Sequence, residues 1–407
     1  MTRALVTGLG VVAPNGIGVE EYWSATLTGK SGLRRLEHLE PAGYPVRVGG
    51  VAETFVTADH VPARLAAQTD RWTALGLAAA ALAFEDAGIE PATLPEYEFG
   101  VVTGSSSGGN EFGQREIERL WSQGPAFVGA YQSIAWFYAA TTGQLSIRHG
   151  ARGPCGVLVS EQAAGLDALA EARRMLRIGT RLVVSGGTEA PLSPYATVCQ
   201  LASGRLSTVD DPDRCYIPFD RAASGYVPGE GGAILLVESE QSARERGARW
   251  YGEIAGYGAT FDPRPGSGRP PGLRRAIEQA LADAAVTPAD IDVVFADATG
   301  TPAADRAEAE AISAVFGAGA VPVTAPKTLT GRLYGGGAAL DVATALLALG
   351  EGVIPPTVGT ARLADGIDID LVLDRPRQTP LRTALILARG YGGFNAAVVL
   401  RGPAKES

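Results

Sequence analysis

The sequence predicts an α/β fold in which a largely parallel sheet is layered by helices and the arrangement occurs twice along the chain. Three observations predict it: short apolar runs rich in β-branched residues, Ala- and Leu-rich stretches of helical length between them, and a pair of strands that closes each half in the same way.

The runs at 99–103, 157–160, 182–185, 293–296 and 384–388 are too short for helices and apolar throughout, the signature of buried strands. Residues 166–178, 273–285, 304–316 and 338–349 are long enough for three or more helical turns and carry few breakers. Strand and helix alternate, as crossover connections between parallel strands require. Residues 181–186 followed by 231–237 resemble residues 383–390 followed by 394–400: an apolar strand, a glycine-rich turn or insert, then a second apolar strand. Between these halves, residues 239–248 are polar and charged, which divides the chain into residues 1–247 and 248–407.

At 407 residues, 46% of them hydrophobic, the chain can bury two packed lobes or one large duplicated domain. A formal charge of -9 argues against nucleic acid, whose phosphates demand clustered Lys and Arg. Cys155, Cys199 and Cys215 have neither paired spacing nor neighbouring histidines, so no disulfide framework and no metal site is expected. The first residues lack the long apolar core of a signal peptide, and no run of about 18 apolar residues could span a bilayer. A cytoplasmic protein without membrane or nucleic-acid partners is the expectation.

Gly8-Leu-Gly10 follows a strand and imitates a dinucleotide fingerprint, but Pro14 and Asn15 interrupt the chain where a helix should begin. Gly104-Ser-Ser-Ser-Gly-Gly109 lacks the lysine of a phosphate loop and reads as a glycine turn lining a pocket. More informative is Val157-Leu-Val-Ser-Glu161-Gln162-Ala-Ala-Gly165, a strand running into a sharp turn of small residues and then a helix. A cysteine at such a turn would be acidified by the helix dipole and would have N–H groups nearby for an oxyanion. Gln162 occupies the position instead, and an amide neither ionises nor attacks a thioester.

This elbow resembles the active-site turn of the β-ketoacyl synthase family, and its Glu-Gln-Ala form is similar to that of the chain-length factors of bacterial type II polyketide synthases. The resemblance implies a thiolase-like, duplicated, five-layered αβαβα ketosynthase fold. Active members carry the acyl-accepting cysteine where Gln162 stands. Their His-Gly-Thr-Gly-Thr corresponds to Asp297-Ala-Thr-Gly-Thr301, and their Lys-Ser-x-x-Gly-His to Lys327-Thr-Leu-Thr-Gly331-Arg332, so Asp297 and Arg332 replace the two histidines. His38, His60 and His149 lie elsewhere, and no catalytic residue is expected from this chain. Asp305, Glu308 and Lys327 match charged positions of the family and read as a structural network, although Ala304 stands where asparagine is expected. The segments 218–231 and 390–395 match those that hold the fold and the cavity wall.

Retention of the fold without its chemical groups implies a partner that supplies them. By resemblance that partner is a ketosynthase α subunit, joined in a heterodimer whose tunnel houses the growing poly-β-ketone. An acyl carrier protein would deliver malonyl units on its phosphopantetheine, and the chain needs no cofactor of its own. Asn110, Gly113 and Ile117 share one helical face at i, i+3 and i+7 and match the region where the family places gating residues, often aromatic. None of the three is aromatic here, and a mid-helix glycine, costing about 1 kcal/mol relative to alanine, implies space for a longer product. Tyr131, Trp136 and Phe137, in an unusually aromatic stretch, match the dimer-facing segment of the fold.

Three other readings keep the same residues. The chain is an enzyme that decarboxylates malonyl groups with Gln162, as loading domains with glutamine at this position do, although those domains retain histidines. Arg332 can bind a carboxylate but cannot act as a general acid. Acyl transfer through one of the three cysteines lacks an elbow and a histidine base, and a purely structural homodimer needs no chemistry.

Overall fold

The computed structural model describes residues 2–39, 44–264 and 266–403. The first half contains strands β1 (Ala4–Ala13), β2 (Phe99–Gly104), β3 (Cys155–Leu158), β4 (Leu182–Glu189) and β5 (Gly231–Ser239), with helices α1 (Arg71–Ala87), α2 (Asn110–Gln123), α3 (Ala140–His149) and α4 (Ala164–Arg177). The second half contains β6 (Gly252–Phe261), β7 (Val293–Phe295), β8 (Pro322–Thr324), β9 (Thr383–Gly390) and β10 (Phe394–Arg401), with α5 (Leu273–Ala284), α6 (Pro302–Phe316) and α7 (Gly335–Glu351).

The strands of the first half lie in the order β3-β2-β4-β5-β1, and those of the second in the order β8-β7-β9-β10-β6, with Asp370–Leu371 beyond β8. In both halves the order is third, second, fourth, fifth, first, so the duplication read from the closing strand pairs extends through the whole topology. The halves join where β1 meets β6 in a short antiparallel pairing, Leu5 opposite Glu253 and Val6 opposite Gly252.

Strand direction departs from the sequence expectation. Pairs β2–β3, β2–β4, β7–β8 and β7–β9 are parallel, whereas β1–β5, β4–β5, β6–β10 and β9–β10 are antiparallel, so the sheet is mixed. Burial on both faces explains the difference: a strand covered on each side is continuously apolar whichever way its neighbour runs. The strand expected at 157–160 also lies two residues earlier, at Cys155–Leu158, because the chain leaves the sheet after Leu158 to form the elbow.

Helices α4 and α7 pack on each other and between the two sheets, α1 and α3 cover the outer face of the first sheet, and α5 with α6 covers that of the second. The result is five layers, αβαβα. Helix α7 is buried from Gly335 to Leu349 and apolar almost all round, as a helix at the centre of a large core must be. Gly8 and Gly10 serve the packing: a Cβ at either would overlap the Ala83 or Ala79 carbonyl of α1. Gly256 and Gly258 of β6 meet the carbonyls of Ala280 and Ala276 in α5 in the same manner, which marks the duplication again. Among the described residues no helix is long and apolar enough to cross a membrane, and no cluster of three or more His, Cys, Asp or Glu could hold a metal ion.

Candidate functional site

Strand β3 delivers the chain to the turn Glu161–Ala163 at the start of α4. Glu161 has φ of 56°, a left-handed conformation that costs a residue with a Cβ about 1 kcal/mol or more. Its own carboxylate holds the turn: Oε2 accepts hydrogen bonds from the Gln162 amide at 2.7 Å and from the Tyr391 amide at 3.0 Å. The Gln162 side chain is completely buried, and neither its Oε1 nor its Nε2 has a hydrogen-bond partner among the described residues. It lies against the N-terminus of α7, where a Cβ on Gly337 would come within 2.5 Å of Nε2. The glycine leaves room for the amide.

Asp297 follows β7, and Arg332 follows the glycine turn at Gly331. Arg332 Nη2 lies 3.2 Å from Asp297 Oδ1, and Nη1 donates to Oδ2 at 3.3 Å. Nη2 also donates to the Arg389 carbonyl at 2.5 Å and lies 3.6 Å from Glu161 Oε2, which ties the pair to the elbow. The Tyr226 ring faces the guanidinium at 5.3 Å. Asp297 accepts two further bonds, from Thr299 Oγ1 and the Arg389 amide, both at 2.9 Å. Burial pushes the Asp297 carboxyl up, but Arg332 and Lys327 outweigh it and hold the group below the usual carboxylate range. Burial pulls Arg332 down, and Asp297 and Glu161 reverse this, so the guanidinium stays charged. Near neutral pH the carboxylate stays ionised and the guanidinium keeps its proton, so neither side chain serves in proton transfer.

The surrounding charges hold backbone. Glu308 accepts from the Asp297 and Ala298 amides at 2.7 and 2.8 Å, and Asp305 from the Phe219 and Gly300 amides at 2.8 Å each. Burial raises both carboxyls to about 7. Lys327 Nζ pairs with Asp341 at 2.7 Å and donates to the Ala296 and Asp297 carbonyls at 2.7 and 3.1 Å. Cys155 and Cys199 are exposed, whereas burial pushes the Cys215 thiol up to about 12.

Asn110, Gly113 and Ile117 all lie on α2. Asn110 borders a cavity of about 210 Å³ with Ser106, Ser107, Tyr195, Cys199 and Tyr334. Gly113 is buried, and a Cβ there would stand 2.9 Å from Cδ1 of Trp136, so the indole covers it. Ile117 is exposed one turn further on. Tyr131, Trp136 and Phe137 are each exposed by about two-fifths to one-half and belong to the segment that returns from α2 to α3. That segment is clamped to α2: Glu116 Oε2 accepts from the Gly129 amide at 2.5 Å, and the Trp136 carbonyl from the Gly109 amide at 3.1 Å.

The chain is similar to known proteins over nearly its whole length. The family described as "Beta-ketoacyl synthase, N-terminal domain" matches residues 1–243, and "Beta-ketoacyl synthase, C-terminal domain" matches residues 251–361. The chain belongs to the β-ketoacyl synthase family. It is 60% identical over 399 residues to the tetracenomycin polyketide synthase ketoacyl synthase beta subunit of Streptomyces glaucescens, covering 98% of each chain. Among solved structures, the ishigamide ketosynthase/chain length factor is similar with a TM-score of 0.91 at 27% identity, over 99% of this chain and 100% of that one. A type II polyketide synthase acyl-carrier protein in complex with its ketosynthase bound to the hexaketide gives 0.88 and 27%, with the same coverage.

Within this β-ketoacyl synthase chain, the structure gathers Gln162, Asp297 and Arg332 around Glu161, Tyr226 and Arg389. Sequence reasoning missed the last three. The Glu161 side chain carried a local signal, since it precedes Gln162 in the elbow, but its contacts with Tyr391 and Arg332 span the two halves. Reasoning also treated Gly113 and Trp136 as separate features, whereas they touch.

Proposed function

We propose that this β-ketoacyl synthase chain is the non-catalytic subunit of a bacterial type II polyketide synthase: it pairs with an active ketosynthase α subunit and sets polyketide length by shaping the tunnel between them. The observation that carries the reading is the elbow. A buried, unreactive amide occupies the turn where the fold presents a nucleophile, and the adjoining Asp297–Arg332 pair is charge-saturated rather than poised for proton transfer. A malonyl carboxylate would find Arg332 already engaged, which weighs against decarboxylation at Gln162. Carbon–carbon bond formation belongs to the partner's cysteine.

The surface supports a partner of the same fold. Strand β3 ends the sheet with one side unpaired, an edge that natural proteins cover or pair. The aromatic ridge of Tyr131, Trp136 and Phe137 has the composition of an interface core. The ishigamide relative is a ketosynthase/chain length factor, and the complex of an acyl-carrier protein with its ketosynthase supports a substrate carried on the phosphopantetheine of an acyl carrier protein. Asn110, Gly113 and Ile117 are assigned to the tunnel wall on the strength of their shared face and the cavity at Asn110. Such an assembly works in the cytoplasm.

The test is co-expression with the ketosynthase, size exclusion with mass detection, and product analysis. A one-to-one complex whose polyketide shortens with Gly113→Phe supports the reading. A stable homodimer that ignores the ketosynthase refutes it.

A further inference from the structure

Gly113 is the fourth residue of α2, at the end of its first turn and not mid-helix as the sequence suggested, and a glycine there still favours the helix less than alanine would. Its purpose is visible in the contact it permits. An alanine Cβ at this position would lie 2.9 Å from Cδ1 of Trp136, closer than packed carbon atoms come, and 3.7 Å from Nε1. The indole therefore rests in the notch that the missing side chain leaves.

The backbone on which Trp136 stands is fixed to the start of the same helix. Its carbonyl accepts the Gly109 amide at 3.1 Å, and a Cβ on Gly108 would lie 2.5 Å from that carbonyl oxygen. A Cβ on Gly109 would overlap the Ala135 carbonyl. Three glycines, 108, 109 and 113, thus admit one residue pair. The opposite face of the indole is open, with Trp136 51% exposed and Ile117 exposed one turn along the helix. Whatever passes over the middle of this face meets an aromatic ring, not the space above a glycine.

Resting on the proposed function, we infer that Trp136 is the specificity-determining residue at the middle of the gate, and that Gly113 acts by seating it. The gate of this chain is then Asn110, the Trp136 indole and Ile117. Product length is limited by a ring that the segment between α2 and α3 supplies, at the end of its short helix Gln132–Ala135, even though α2 itself carries no aromatic residue at the three gating positions.

The experiment uses the reconstituted complex with its ketosynthase and carrier protein and reads the mass distribution of released polyketides. Trp136→Ala is expected to raise the fraction of longer products several-fold, and Trp136→Phe to do so less. Gly113→Ala is expected to push the indole outward and shorten products, an effect that Trp136→Ala in the same chain cancels. Trp121→Ala, which removes an 82% exposed aromatic from the last turn of α2, leaves the distribution unchanged. An intact complex whose product distribution is parental in both Trp136 variants overturns the inference while leaving the chain-length reading standing. If Trp136→Ala does not assemble, Trp136→Phe decides alone. A parental pair that forms no complex overturns the underlying reading instead.

Discussion

Arg332 and Asp297 face each other in the buried centre of the chain, with Nη2 3.2 Å from Oδ1 and Nη1 3.3 Å from Oδ2. Both are almost entirely inaccessible to solvent, so each is the other's principal neutraliser. Removing one partner leaves an uncompensated buried charge. Arg332→Ala and Asp297→Ala are each expected to lower stability by about 3–5 kcal/mol. Urea denaturation checks this, and replacing both residues together by apolar side chains of similar volume recovers most of the loss.

Stability should fall as pH rises through neutrality, and Glu189 is the clearest source. Burial, reinforced by the charges of Asp70 and Glu161, pushes its carboxyl up to about 8. A carboxyl raised in the folded state contributes stability in full below its unfolded pKa of about 4.3. That contribution is lost as pH rises through the folded value. Between these limits the loss is up to about 1.4 kcal/mol per pH unit. Glu189→Gln keeps an oxygen for the Ser106 amide and removes the titration, so its unfolding free energy is expected to depend less on pH from 5 to 8. Asp297, held low, acts in the opposite sense only as pH falls through its depressed value, outside this window.

Asp70 ties α2 to α1, the cover of the first sheet. One carboxylate oxygen accepts the Trp72 amide at the start of α1 at 3.1 Å, and the other the Phe112 amide in the first turn of α2 at 2.7 Å. Asp70→Ala removes both bonds, with an expected loss of about 1–3 kcal/mol. Hydrogen exchange at the Phe112 amide should accelerate more than exchange in α5, which Asp70 does not touch.

Two glycines separate packing from propensity. Gly10→Ala drives a Cβ into the Ala79 carbonyl of α1 and should destabilise by about 1–3 kcal/mol or prevent folding. Gly143 in α3 has nothing within 4 Å of its would-be Cβ, so Gly143→Ala should stabilise by up to about 1 kcal/mol. Thermal unfolding of the two variants distinguishes the signs.

Much of the architecture was legible because it depends on local pattern. Apolar runs marked β2, β4, β7 and β9, and the paired endings of the halves announced the duplication. Strand direction was not legible, since doubly buried strands look alike whether parallel or antiparallel. The elbow at Gln162 was readable as a strand, turn and helix in succession. The link from Glu161 to Arg332 was not, because 171 residues separate the two and only the packing of the halves brings them together. A helical spacing put Asn110, Gly113 and Ile117 on one face but could not reveal that Trp136, at the end of the separate short helix Gln132–Ala135, packs over Gly113.

As proposed, this chain shapes the product without forming its bonds. Product mass analysis of the complex, with this subunit intact and the ketosynthase's nucleophilic cysteine changed to alanine, tests it most directly. No elongated polyketide is expected from that complex. Elongated product from that complex would contradict it and would assign condensing chemistry to the elbow at Gln162.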